Sequence, residues 1–127
     1  MIEELYGFLE YIGINRENLY LQTEPDATLV SFYQEMAPNS RLLVTVGIHD
    51  IDQRVEICVS KEKQDADGFE SLAHLNQLNS QYSGLTFFAV SDAVFLKVIL
   101  EDKYKLEELV SKLLLAIQVA KEEFKNI

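Results

Sequence analysis

Cysteine is nearly absent from this chain. Cys58 stands alone, so no internal disulfide can staple the fold, and a reducing, cytoplasmic setting is expected. Tryptophan is missing, and only two prolines and five glycines interrupt 127 residues. No Gly/Pro-rich linker divides the chain, and residues 1–127 read as a single domain. Basic residues are scarce: 11 Lys and Arg stand against 21 Asp and Glu, a formal net charge of −10. Nucleic acid and anionic membrane surfaces would both repel such a protein, which excludes them as main partners. Long apolar runs are lacking too. Leu113-Leu114-Leu115-Ala116-Ile117 stops far short of the roughly 18 residues a membrane helix needs. Met1-Ile2-Glu3-Glu4 is acidic where a secretion signal is basic. What is present is apolar surface: 48% of the residues are hydrophobic, with seven Phe and six Tyr. That content excludes a disordered tail, and a chain of this size can bury about two thirds of its surface in one core.

Hydrophobic spacing divides the chain into elements. Ile2, Leu5, Leu9 and Ile12 recur at 3, 4 and 3 residues and predict a helix over 2–12. Glu3 and Glu4 suit its positive end, and Gly13 suits a left-handed stop. Residues 27–36 predict a strand with Val30, Phe32 and Met36 on one face, and Pro38-Asn39-Ser40 is turn chemistry. In 41–49, Leu42, Val44, Val46 and Ile48 alternate with Leu43, Thr45 and Gly47. In 54–60, Val55, Ile57 and Val59 alternate with Arg54, Glu56, Cys58 and Ser60. Lys61 to Asp67 reads as a charged loop. A second helix is expected over 68–83, capped by Asp67 and Glu70, with Phe69, Leu72, Leu75 and Tyr82 inward. Residues 85–90 and 94–101 predict two more strands around Ser91-Asp92-Ala93. A last helix, about 103–125, carries Leu106, Leu109, Val110, Leu113, Ile117, Ala120 and Phe124 on one side. The expected architecture is α+β, in the order α-β-β-β-α-β-β-α, with a five-stranded antiparallel sheet packed by helices mainly on one face. Glu17-Asn18-Leu19-Tyr20-Leu21-Gln22-Thr23 resembles the recognition site of tobacco etch virus protease and reads as native coincidence.

No constellation carries an enzyme signature. His49, His74 and Cys58 are the soft metal ligands available, and none stands at ligand spacing with another. Asp65-Ala66-Asp67-Gly68 is a fragment of a calcium loop without its later acidic ligands, and helix capping accounts for Asp67 and Glu70 without an ion. The serines have no base near them in sequence, and neither G-x-S-x-G nor a phosphate-binding glycine loop occurs. No metal, cofactor or catalytic residue is assigned. Two amides are more informative. Asn79 falls among Leu72, Leu75 and Tyr82 on the helix wheel, and Asn76 between Leu72 and Phe69, so both face inward or sit at the margin of that face. Both are expected to bond backbone groups of a neighbouring strand or loop, since an unpaired buried amide costs about 1–3 kcal/mol.

Leu75-Asn76-Gln77-Leu78-Asn79, a hairpin and a long amphipathic last helix together resemble the YbjN-like family, whose members are labelled sensory transduction regulators. The element order is similar to that of the class I type III secretion chaperones, which are small, acidic and dimeric. The hairpin Ser91-Asp92-Ala93 departs from the Asp-Gly form frequent in the family. The resemblance implies a non-enzymatic module, chaperone- or adaptor-like, that holds a partner polypeptide. Two other readings stay open: an acidic immunity-type protein covering a basic toxin, and a small ligand-sensing regulator. A homodimer is expected from the apolar residues that one sheet face leaves over. These are Leu115 and Val119, far from the inner stripe of the last helix, with Tyr104 near them on the wheel, and Tyr6, Phe8 and Tyr11 on the first.

Overall fold

In a computed structural model, residues 2–36, 40–62, 69–101 and 104–125 are described, with side chains in the third stretch from Leu72 onward. These residues form α1 (Ile2–Tyr11), a 3₁₀ turn (Arg16–Asn18), β1 (Tyr20–Glu24), β2 (Ala27–Met36), β3 (Ser40–His49), β4 (Val55–Glu62), α2 (Phe69–Gln81), β5 (Thr86–Val90), β6 (Ala93–Leu100) and α3 (Leu106–Glu123). The architecture is α+β, with three helices and one antiparallel sheet of six strands, ordered β1-β2-β3-β4-β6-β5. The expectation of five strands is corrected by β1. All five of its residues are exposed, so it carries none of the in-out alternation by which the other strands announce themselves. Lys61 and Glu62 also belong to β4 rather than to a loop. The turn at Pro38 and Asn39, the Asp67–Glu70 cap, Phe69 as an inward residue and the Asp65–Gly68 fragment lie outside the described residues.

Each strand buries one face. Val30 and Phe32 on β2, Leu42, Val44 and Val46 on β3, and Val55, Ile57 and Val59 on β4 are fully buried. On β6, Val94 and Leu96 are fully buried and Val98 nearly so. These alternate positions share one core with Leu5 and Leu9 of α1, Leu75 and Leu78 of α2, and Leu109, Leu113 and Phe124 of the α3 region. The helices therefore lie on one side of the sheet, and each large aliphatic side chain they bury contributes about 1.5–3 kcal/mol.

Helix ends follow local chemistry. After α1, Gly13 adopts φ +98°. The amide of Ile14 donates to the Leu9 carbonyl at 2.8 Å, and that of Gly13 to Glu10 at 3.0 Å. This is the left-handed stop in its double-bonded form. Arg16 then folds back to Glu3 and Glu10 at 2.8 and 2.9 Å, with its guanidinium over the Tyr6 ring. At the other end of the chain, Lys61 Nζ donates to the Phe124 carbonyl at 2.7 Å. One of the orphan carbonyls closing α3 thus finds its partner on β4.

Candidate polypeptide-binding surfaces

Among the described residues, no element covers the face of the sheet opposite the helices. Register places its side chains in rows that cross the strands. One row runs Tyr20, Ser31, Thr45, Cys58, Lys97, Thr86. The next runs Tyr33, Leu43, Ser60, Phe95, Phe88. Lys97 is the one charged residue of these two rows, on a chain a quarter of whose residues are charged. The rest is apolar or hydroxyl-bearing. Phe88 and Phe95 oppose each other in the hairpin and stack, with centroids 5.0 Å apart and planes 4° from parallel. Tyr20 meets Tyr33 edge to face at 6.0 Å. The guanidinium of Arg41 lies 3.7 Å from the centroid of the Tyr33 ring. Such pairs are worth about 0.5–1.5 kcal/mol each and hold the rings in fixed orientations. Ser31 and Thr45 hydroxyls bond at 3.0 Å. Leu29 lies across Gly47, where an added Cβ would stand 3.0 Å from Leu29 Cδ2. A cavity of about 280 Å³ opens at one end of this face, lined by Tyr33, Ser40, Arg41, Leu43, Ser60, Lys61 and Glu62.

Cys58 sits half-buried in the middle of this face. Burial pushes its thiol up, Lys97 pulls it part of the way back, and Glu56 adds the smallest push upward. At neutral pH it is a thiol rather than a thiolate nucleophile. His49 closes β3 and His74 lies on α2. Among the described residues no three His, Cys, Asp or Glu side chains gather in a way that could hold a metal. Among the described residues, no helix is long and apolar enough to cross a membrane.

The two edges of the sheet differ. On β5, the Asn79 carboxamide donates to the Phe87 carbonyl at 2.8 Å and accepts from the Phe87 amide at 2.7 Å. A strand residue sends both backbone groups to the same side. Those of Phe87 therefore point away from β6, and Asn79 stands where a seventh strand would bond. On β1 the geometry follows from a neighbouring bond. The Asp50 amide donates to the Asp26 carbonyl at 2.9 Å, so even-numbered residues of β2 bond β3 and odd-numbered ones bond β1. Their partners Glu24, Gln22 and Tyr20 point inward. Leu21 and Thr23 point their backbone groups outward, and among the described residues nothing caps them.

The residues singled out from the sequence scatter over the molecule. Asn79 bonds backbone of a neighbouring strand. Asn76 is exposed, turned away from the sheet, and no bond of its side chain is described. On α2, Leu72 is 44% exposed while Leu78 is buried, so the packed arc lies on the opposite flank of Leu75 from the expected one. Val119 is buried, which corrects its place in an exposed patch. Ala116 and Val119, one turn apart, both enter the core, so α3 is packed along its flank as well as its underside. Tyr104 precedes α3, whose N-cap is Lys105 in an extended conformation. It is thus off the helical wheel and lies half-buried against the core. Tyr6 and Phe8 also pack against the core, Tyr6 under Arg16. Tyr11 and Leu115 remain exposed. The proposed dimer patch is therefore not assembled on the helices. Sequence reasoning missed the Phe88–Phe95 stack, although the two residues stand symmetrically about Ser91-Asp92, and it missed the whole β1 edge.

No protein-family model, curated protein or solved structure matches this chain.

Proposed function

We propose that this protein is a non-enzymatic module that holds a partner polypeptide, in the manner of a chaperone or adaptor. The observation that supports this reading is the uncovered sheet face. Its two central rows are almost free of charge, carry four aromatic rings and are rimmed by Glu35, Arg41, Glu56 and Glu62. An apolar, ring-rich centre inside a charged margin is the anatomy of a protein-binding patch. Rings already fixed by stacking lose little freedom on binding. The resemblance to the YbjN-like family points the same way, with one strand more than the order it implies.

A photo-crosslinking residue at Leu43, in the centre of the face, tests this reading against one at Leu114 on the outer side of α3. The expected outcome, in the cell that makes the protein, is a polypeptide adduct from position 43 and none from 114. Equal capture from both positions, or none from 43, sinks the reading.

A further inference from the structure

The two sheet edges carry a second, more specific consequence, which rests on the polypeptide-holding reading. Exposed edge strands are aggregation hazards, and folds blunt them with capping groups, Lys, Pro or bulges. Here β5 is blunted by Asn79, whose amide occupies both backbone groups of Phe87. At β1, a regular five-residue register without Lys, Arg or internal Pro leaves the backbone of Leu21 and Thr23 directed outward. Leu21 is 58% exposed and Tyr20 62%. One edge is closed and the other is kept as a template.

We propose that β1 accepts an extended segment of the partner as a seventh strand, and that this segment alternates apolar residues with Lys or Arg. Strand addition supplies backbone bonds at Leu21 and Thr23, and the flanking side chains set the sequence preference. On the helix side the incoming strand runs beside Leu21 and Thr23, where an apolar residue extends the buried surface. On the open side it runs beside Tyr20, Gln22 and Glu24. The charges around this edge are Glu17, Glu24, Asp26 and Glu35, all exposed. Of the nearby cations, Arg16 is engaged by Glu3 and Glu10, and Arg41, opposite Glu35 in the register, lies over the Tyr33 ring. Basic side chains on the open side therefore meet an excess of carboxylates, Glu24 among them held in place by the Gln22 amide at 2.9 Å. The same charges count against a second copy as occupant, since two chains of −10 would bring these acidic edges together.

The probes are two capped seven-residue peptides, one alternating Lys with Val and the other Glu with Val, titrated into the full-length chain and followed by amide NMR. The Lys peptide is expected to bind, with its largest shifts at Leu21 and Thr23, and to weaken as salt rises. Thr23→Pro removes an outward N–H and leaves the β1–β2 bonds intact; it is expected to weaken binding at least tenfold. N-methylation of the peptide backbone on one edge is expected to do the same without touching the protein's fold. Equal binding of the Glu peptide, shifts centred on β5, or indifference to both Thr23→Pro and N-methylation overturns the proposal. So does a free protein that sediments as a dimer with the Leu21 and Thr23 amides protected from exchange, because a second copy then occupies the edge. Loss of the strand proposal with persistent crosslinking from Leu43 leaves the polypeptide-holding function standing on the sheet face alone.

Discussion

The two ends of the sheet solve one problem in opposite ways. β5 is short, buried at Phe87 and tied to α2 by a side-chain amide that imitates a neighbouring strand. β1 has the same length, buries none of its residues and leaves its outer backbone unoccupied. The difference teaches that an edge is defined by what its alternate side chains do. Phe87 drives into the core against Phe124 and Tyr82, which brings α2 close enough for Asn79 to reach the backbone. Leu21 has no such anchor, so no helix is drawn over it.

Substitutions at each edge sharpen this contrast. Phe87→Ala has the largest expected effect: an aromatic side chain that is 2% exposed leaves a cavity costing about 3–5 kcal/mol, read from the urea midpoint. Asn79→Ala comes next, at about 2 kcal/mol, because both backbone groups of Phe87 lose their partners. It also opens the second edge, so hydrogen exchange at the Phe87 amide should accelerate towards that of Leu21 and Thr23, and gel filtration should show self-association. Equal exchange at the two edges in the wild type would break the comparison outright. A third fastening on the β5 side is the Tyr82 hydroxyl, which donates to Glu123 at 2.7 Å. That bond to a carboxylate raises the phenol above its ordinary value of 10, with burial and the Glu123 charge adding to it. A raised folded value contributes stability that is complete below pH 10 and lost as pH climbs through the folded value. Tyr82→Phe should therefore flatten the alkaline arm of stability against pH, while Tyr104, raised by burial, keeps a residual slope. Ser91, at φ +54° in the β5–β6 turn, should gain about 0.5–1 kcal/mol on replacement by Gly, measured as a rise in Tm. Leu21→Ala, the β1 counterpart of Phe87→Ala, is expected to stay within about 0.5 kcal/mol.

Much of this fold is readable in the residues themselves. Val55, Ile57 and Val59, or Leu42, Val44 and Val46, alternate because one face of each strand is buried and the other is not. Period two is the imprint of that asymmetry. β1 left no imprint because both of its faces meet solvent. Its existence depends on hairpin pairing with β2 across the two-residue turn Pro25-Asp26, which side-chain alternation does not record. The uncovered face was half legible. The alternation of Phe95, Lys97 and Ile99 with Val94, Leu96 and Val98 separates the two sides of β6 without saying which is open; that follows only because the described helices all pack on one of them. Asn79 was legible as an amide bonding the backbone of a neighbouring strand, although its residue stays exposed at the margin of the packed face rather than inside it. Val119 and Leu72 were not, because a helix wheel assigns a centre to the packed arc and says nothing of its width or tilt against neighbours.

Strand order carries one more consequence, for the way the chain comes together in time. β1 to β4 form a meander in which each strand pairs with the next, so their contacts close over short loops and can form early. β4 then waits. Its second partner is β6 rather than β5, and α2 and β5 must be made before Ala93–Leu100 arrives to cover Val55, Ile57 and Val59 from the side. During synthesis the middle of the sheet is thus the last place to be sealed, and a chain arrested before Ala93 presents an apolar central strand with one flank open. The exposed edge that endures in the finished molecule is the polar, acidic one at β1; the sticky one at β4 is transient and is closed from within by the protein's own hairpin.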